Sequence, residues 1–545
     1  MFIGRAWLLA VIAVPLLSQE SDHALALRSN TRLVQLDVVA EDKKGRAVTD
    51  LTRERFEVYD QGKPQQIRIF TRHSVSGPAL PAADDGQHRV FTNRAEARSG
   101  PAGVTVILID SLNTRWVNQA YARQQLIRFL LQIHPDDHVA IYSLGVGGFR
   151  VLHDFTQDAS DLVAKLNSWN GEATPAKTNP DAHDVVQQLA DWLNSNNAYH
   201  VQSQDIGDWD RFSSGQSLKI LTAIANQLAG IAGRKNLIWI SVGFPVVNWG
   251  GLQNFVFDRS PTRQEGLKMG DPQSLENQMI AAMRAISDDN VAIYPVDAAS
   301  LYGPFFSMSS QEPGQVGMKA LVSVHGREEV MSDIARKTGG KAFFESNDLK
   351  NAIRVAMDDS EFTYTLGYYP DAVQFNGKFR TLKVKVTDRP DVRLRYRQGY
   401  LDSPEPVHDD GERRLRLQNA VWSPLDATGI GLSAWIEHGA NGGARLVIKI
   451  NPSDIGLSQG SAHMAEADIV IVQKDERGKQ LDVIQLTSQF QVNPAVSASA
   501  IARNGGRFTR DIVFKPGVSA LRIVVGDAHS SRLGSLTIPN PNLAR

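Results

Sequence analysis

Between Val104 and Asp359 the chain alternates continuous apolar runs with segments of helical spacing, and no other feature constrains its fold so strongly. "VTVILID" (Val104–Asp110) has no solvent-facing alternation, as expected of a strand covered on both faces in a parallel sheet. "VNQAYARQQLIRFLLQI" then carries apolar residues at helical spacing, and "HVAIYSL" is strand-like again. The pattern repeats through "SLKILTAIANQLAGI", "NLIWISV", "ENQMIAAMRAIS" and "VAIYPVD", then "REEVMSDIARKTGG" with its glycine stop, "KAFFE" and "LKNAIRVAMDD". This order predicts an α/β unit with a doubly wound, mostly parallel sheet.

The flanks differ. "TRLVQLDVVAEDKKGRAVTDLTRERFEVYDQGKPQQIRIFTR" alternates apolar and polar residues around turn sequences, predicting a small β module over 30–73. Residues 74–102 are rich in Gly, Pro and Ala without a period, as linkers are. Beyond Asp359, "FTYTLGYYP", "FRTLKVKV" and "VRLRYRQGY" form a β extension that closes the α/β domain at about residue 400. A linker over 401–412 precedes strand candidates spaced for an antiparallel β sandwich over 413–545. Three insertions, about 170–210, 245–273 and 299–324, interrupt the α/β pattern. The last two follow strand ends, so they should cover the carboxyl edge, where open α/β sheets usually bind ligands. Surface elaboration explains them equally well.

The amino terminus places Arg5 before the apolar run Trp7–Leu17, too short for a bilayer span of about twenty residues but suited to an export signal. Residues 1–26 are therefore expected as a signal peptide, and the product as periplasmic or extracellular with no transmembrane segment. With no cysteine, the chain has neither disulfides nor thiol chemistry. The 58 Lys and Arg balance 59 Asp and Glu, leaving no net field to draw nucleic acid.

Candidate chemistry centres on "DSLNT", Asp110–Thr114, at the predicted carboxyl edge. A strand followed by Asp-x-Ser-x-Ser resembles the metal-ion-dependent adhesion site of von Willebrand factor type A (VWA) domains, a Rossmann-like fold. "VTDLTRERFEVYDQGKPQQI", "AGRKNLIWISVGFP" and the β extension resemble bacterial VWFA-related proteins best known from acidobacteria. The resemblance covers roughly residues 30–400. It implies a Mg²⁺ site with Asp110 as the leading ligand, Leu112 at the middle hydroxyl position and Thr114 at the last, a second loop near Ser213 and a third at Ser241. Asn113 can lend an amide oxygen. Leu112 offers none, and Ser241 stands where the family places an Asp, so the set holds one carboxylate where Mg²⁺ usually takes one or two. The expected cofactor is thus Mg²⁺ bound weakly or not at all. A plain strand end, with Asp110 accepting backbone hydrogen bonds, explains the same residue.

Other chemistry has less support. No Gly-x-Ser-x-Gly turn occurs, none of the 13 histidines lies in a Glu-flanked zinc motif, and "GVGGFR" reads as a hairpin. His153, Asp154 and Asp158 in "HDFTQD" read as a solvated turn before a helix. Trp249, Phe255, Tyr302 and Phe305 in the insertions are candidate anchors for a partner, or a local core. The leading expectation is a non-enzymatic exported protein that binds a protein or cell-surface ligand at the carboxyl edge, in adhesion or scaffolding. A secreted hydrolase using an insertion-covered cleft and a purely structural envelope component are the alternatives.

Overall fold

The computed structural model describes residues 33–74, 89–93, 103–171 except 115, 132, 134–136, 146–147, 157 and 170, 206–241 except 232–233, 272–298, 328–370 except 345–348, 378–402, 410–455 except 424, 439–443 and 452–453, 464–491, and 506–541. The expected signal peptide and most of the three insertions lie outside these residues.

The chain is mixed α/β, with five sheets among the described residues. Its first strands are β1 (Val34–Glu41), β2 (Phe56–Asp60), β3 (Lys63–Gln65), β4 (Ile69–Ser74) and β5 (Phe91–Thr92). The α/β unit supplies β6 (Gly103–Asp110), α1 (Trp116–Leu130), β7 (Val139–Gly145), β8 (Gly148–Thr156) and α2 (Ala159–Ser168). It continues with α3 (Ile206–Leu228), β9 (Arg234–Ser241), α4 (Pro272–Asp288), β10 (Val291–Asp297), a helical segment over 328–338 and α5 (Leu349–Glu361).

Its five-stranded sheet has the order β10-β9-β6-β7-β8, parallel except for β8. β6 lies centrally and is buried along its whole length. Alternate side chains feed two cores. Val106 and Leu108 pack with Leu218, Leu221 and Trp239 on the face of α3 and α4, while Ile107 and Ile109 pack with Leu126, Phe129, Ile353 and Met357 under α1 and α5. Burying each such chain stabilises the unit by roughly 1.5–3 kcal/mol, and the run carries no charged residue before Asp110.

Two elements differ from expectation. "KAFFE" contributes only a bridge, Phe343 to Val296, at the β10 edge. His153 and Asp154 lie inside β8, which returns from a hairpin that pairs Gly145 with Gly148, rather than in a turn. Asp158 does open a helix, its carboxylate accepting from the backbone N–H groups of Ser160 and Asp161.

The strands after Asp359 are β11 (Phe362–Tyr368), β12 (Lys378–Val386), β13 (Arg393–Arg395) and β14 (Gly399–Asp402). They interleave with the first four strands in two sheets, β13-β1-β11-β4 and β14-β12-β2-β3, around one core that includes Leu36, Val58, Tyr364 and Val384. The N-terminal strands and the β extension thus form a single β unit. Asp60, fully buried, ties its sheets together by accepting from Tyr368 Oη (3.0 Å), Tyr400 Oη (2.8 Å) and Arg380 Nε (3.0 Å).

The rest comprises α6 (Asp410–Trp422) and β15 (Leu432–His438), β16 (Ala444–Ile450), β17 (Met464–Lys474), β18 (Gln480–Gln491), β19 (Gly506–Ile512), β20 (Ala520–Asp527) and β21 (Leu533–Pro539). Sheets β19-β16-β15-β5 and β18-β17-β20-β21 enclose a shared aliphatic core. α6, which starts within the expected 401–412 linker, packs Leu417 and Val421 against Val470, Val472 and Val524.

β5 falls in the segment expected as a linker over 74–102. The neighbouring Asn93 holds it in the sandwich: Nδ2 donates to Ala427 O (2.6 Å) and Ile430 O (2.8 Å), and Oδ1 accepts from Leu432 N (2.7 Å). Thr428 joins the sandwich to α3, its hydroxyl donating to Gln227 O (2.7 Å) and accepting from Gly230 N (2.6 Å). Among the described residues, no helix is long and apolar enough to cross a membrane.

Candidate functional site at the carboxyl edge

Asp110 ends β6 at the carboxyl edge of the parallel sheet, on the face shared with Leu108 and Trp239. Its neighbour β9 runs parallel with Leu108 opposite Trp239 and Ile109 opposite Ile240, which brings Ser241 beside Asp110. The carboxylate is completely buried. Oδ1 accepts from the backbone N–H of Asn113 (3.1 Å); Oδ2 accepts from Asn113 Nδ2 (2.8 Å), Ser241 Oγ (3.0 Å) and Trp239 Nε1 (3.2 Å). Burial pushes the Asp110 carboxyl up to about 6, and the donors from Asn113, Ser241 and Trp239 pull against that rise.

The loop that follows is pinned from both sides. Leu112 donates its N–H to Leu144 O (2.9 Å) and buries its side chain in the α3 and α4 core. Gln119 Nε2 on α1 donates to Ser111 O (3.2 Å) and Thr114 O (2.7 Å). Asn113 Nδ2 also reaches Ser217 Oγ on α3 (3.4 Å), one turn beyond Ser213, which is itself buried.

Of the residues expected from sequence, the structure joins Asp110, Asn113 and Ser241 by direct hydrogen bonds. Thr114 is buried in the same loop and contributes its carbonyl to Gln119. Trp249, Phe255, Tyr302 and Phe305 lie outside the described residues. Trp239 and Ser217 were not expected. The signal for Trp239 was its spacing, two residues before Ser241 in a strand and so on the same face; Ser217 has no comparable cue beyond facing the core with Leu218 and Leu221.

This donor set does not fit Mg²⁺. The ion needs an octahedron of oxygens, but three of the four groups turned on Asp110 are N–H donors, and Leu112 fills the middle hydroxyl position with hydrocarbon. Among the described residues no group of three or more His, Asp or Glu side chains converges as a metal site. The indole, amide and hydroxyl dipoles instead solvate the carboxylate as a cation would, with less charge and fixed geometry.

No family model matches the chain, and no curated protein is similar to it in sequence. Among solved structures, the VWA domain of SpRpn10 is similar with a TM-score of 0.16 and 13% identity, over 37% of this chain and 96% of that one. The human COPII-coat protein Sec24c is similar with a TM-score of 0.21 and 9% identity, over 56% of this chain and 44% of its own. Both likenesses are weak.

Proposed function

We propose that the chain is an exported, non-enzymatic VWFA-related protein that binds a protein or cell-surface ligand at the carboxyl edge of its parallel sheet, without a metal ion. One observation carries this reading. Asp110 stands at the central strand end, where such folds take ligands, yet its charge is met by Asn113, Ser241 and Trp239 rather than left open for a cation. The loop at Ser111–Thr114 lies at that edge, beside the strand ends at Ser241 and Asp297, and is the described surface that such a ligand would meet.

The test is capture of a partner from exported material by wild type, by Asp110→Ala and by a chain lacking 299–324, each with Mg²⁺ and with a chelator. The reading expects capture that survives the chelator, weakens only modestly in Asp110→Ala and disappears on deletion. Failure to retain any partner under all conditions counts against a binding role. Capture abolished equally by chelator and by Asp110→Ala restores the metal-centred version.

A further inference from the structure

Strand edges are pairing hazards, and most edges in this molecule are blunted. β3 is three residues long with Lys63 and Pro64, β13 is three residues with two arginines, and β14 has four residues. β4 carries Arg72 and His73; β19 carries Arg507, Arg510 and Asp511. β8 is irregular in register and holds Arg150, His153 and Asp154, while β5 has two residues. The β10 edge meets Phe343, and the β21 edge is covered by 427–430 through Ser535 N to Ala427 O and Ile430 N to Leu533 O.

β18 carries such features only at its start, an extra residue at Leu481 opposite the Gln473–Lys474 step and the charge of Asp482, and has none from Val483 onward. It is twelve residues long, "QLDVIQLTSQFQ", with Asp482 as its one charge and no proline or lysine. It lies at the end of its sheet, and among the described residues no strand pairs with its outer side. From Asp482 to Gln489 its burial alternates residue by residue. Val483, Gln485, Thr487 and Gln489 are exposed, while Ile484 and Leu486 are only partly covered and pack against the sandwich core from its rim.

We infer that two copies of the chain associate by antiparallel pairing of their β18 strands about a two-fold axis at Gln485, joining two four-stranded sheets into one continuous sheet. This register sets Ile484 opposite Leu486 of the second copy on the inner face, so each half-covered aliphatic chain meets another and the two cores become continuous. On the outer face Val483 meets Thr487 and Gln485 meets its own counterpart. Asp482 lies opposite Ser488, which holds the two acidic groups about 20 Å apart, given about 3.4 Å per residue along a strand. A one-residue slip would place Ile484 and Leu486 against solvent, so the pairing is specified by the same alternation that built the strand.

The test uses the full chain, whose lack of native cysteine makes an introduced thiol unambiguous. Sedimentation across a wide concentration range is expected to show a reversible monomer–dimer equilibrium. Gln485→Cys, exposed and on the axis, is expected to convert to a covalent dimer under mild oxidation, because directly opposed residues lie about 5 Å apart, within disulfide reach. Gln489→Cys, equally exposed, is expected to stay uncrosslinked: its counterpart would be about 27 Å away. Gln485→Lys sets like charges face to face and is expected to weaken association about tenfold at low salt. A chain that remains monomeric at every concentration overturns the inference. So does a dimer that Gln485→Cys does not lock, or one that Gln489→Cys locks as readily.

Discussion

The indole N–H of Trp239 donates to Oδ2 of Asp110 at 3.2 Å, from one central strand to the next and inside the core. A tryptophan whose ring fills the α3 and α4 core is thus also a ligand of the strand-end carboxylate. Trp239→Phe keeps most of the apolar packing and removes that donor. The expected outcome is destabilisation by about 2–4 kcal/mol from the lost hydrogen bond and the small void, together with a higher Asp110 pKa. Chemical denaturation gives the first quantity and carboxyl titration by NMR the second; an unchanged titration would break the link between the two residues.

Asp110 also predicts a pH dependence. Its folded-state value of about 6 lies above the ordinary 3.8, so the folded chain binds more protons between these values, and the Asp110 contribution to stability falls as pH rises from about 4 to about 6. Above that window it is constant. The total loss is about 3 kcal/mol at most. Asp110→Asn cannot ionise, and the wild-type minus Asp110→Asn difference in stability should slope through this window and flatten above it. A difference curve that is level from pH 4 to 6 would contradict the burial argument.

In the N-terminal β unit, Arg380 and two tyrosines converge on the buried Asp60. Arg380→Ala leaves that carboxylate without its counter-charge and should cost about 3–5 kcal/mol, whereas Tyr368→Phe, which removes one neutral donor, should cost about 1–2 kcal/mol. Urea midpoints of the two variants decide the order; equal effects would mean the ion pair adds nothing beyond a hydrogen bond.

Gly339 and Gly340 end the helical segment 328–338, with Gly339 at φ +83° and Gly340 N donating to Ala335 O at 2.9 Å. A Cβ on Gly340 would sit 1.9 Å from Ile293 O in β10. Gly340→Ala should therefore displace the segment and unfold the α/β unit at markedly lower temperature. Gly45→Ala, at φ +77° with open space around it, should cost only about 1 kcal/mol of backbone strain. Comparable melting temperatures for the two would show that the close approach to β10 is not held in solution.

The α/β unit was legible because its information is local. β6, β7, β9 and β10 coincide with apolar runs, the helices between them with apolar spacing, and the glycine stop with a positive φ. The position of Asp110 followed from where the apolar run ends. The N-terminal strands did not disclose their partners, since β1 pairs with β11 and the backbone N–H of Leu51 meets Tyr364 Oη across 313 residues. Two residues at Phe91–Thr92 are too few to show a period, and their place in the sandwich depends on Asn93 reaching Ala427 and Ile430. Trp239 looked like one more apolar residue; its N–H becomes a site feature only once β9 lies beside β6 in register.

The central claim is that Asn113, Ser241 and Trp239 take the place of a cation at Asp110. Isothermal titration of the purified chain with Mg²⁺ and with Mn²⁺, beside Asp110→Ala, tests it most directly. The account predicts no saturable heat for either ion in the wild type and no difference from Asp110→Ala. Stoichiometric binding that Asp110→Ala abolishes would contradict it.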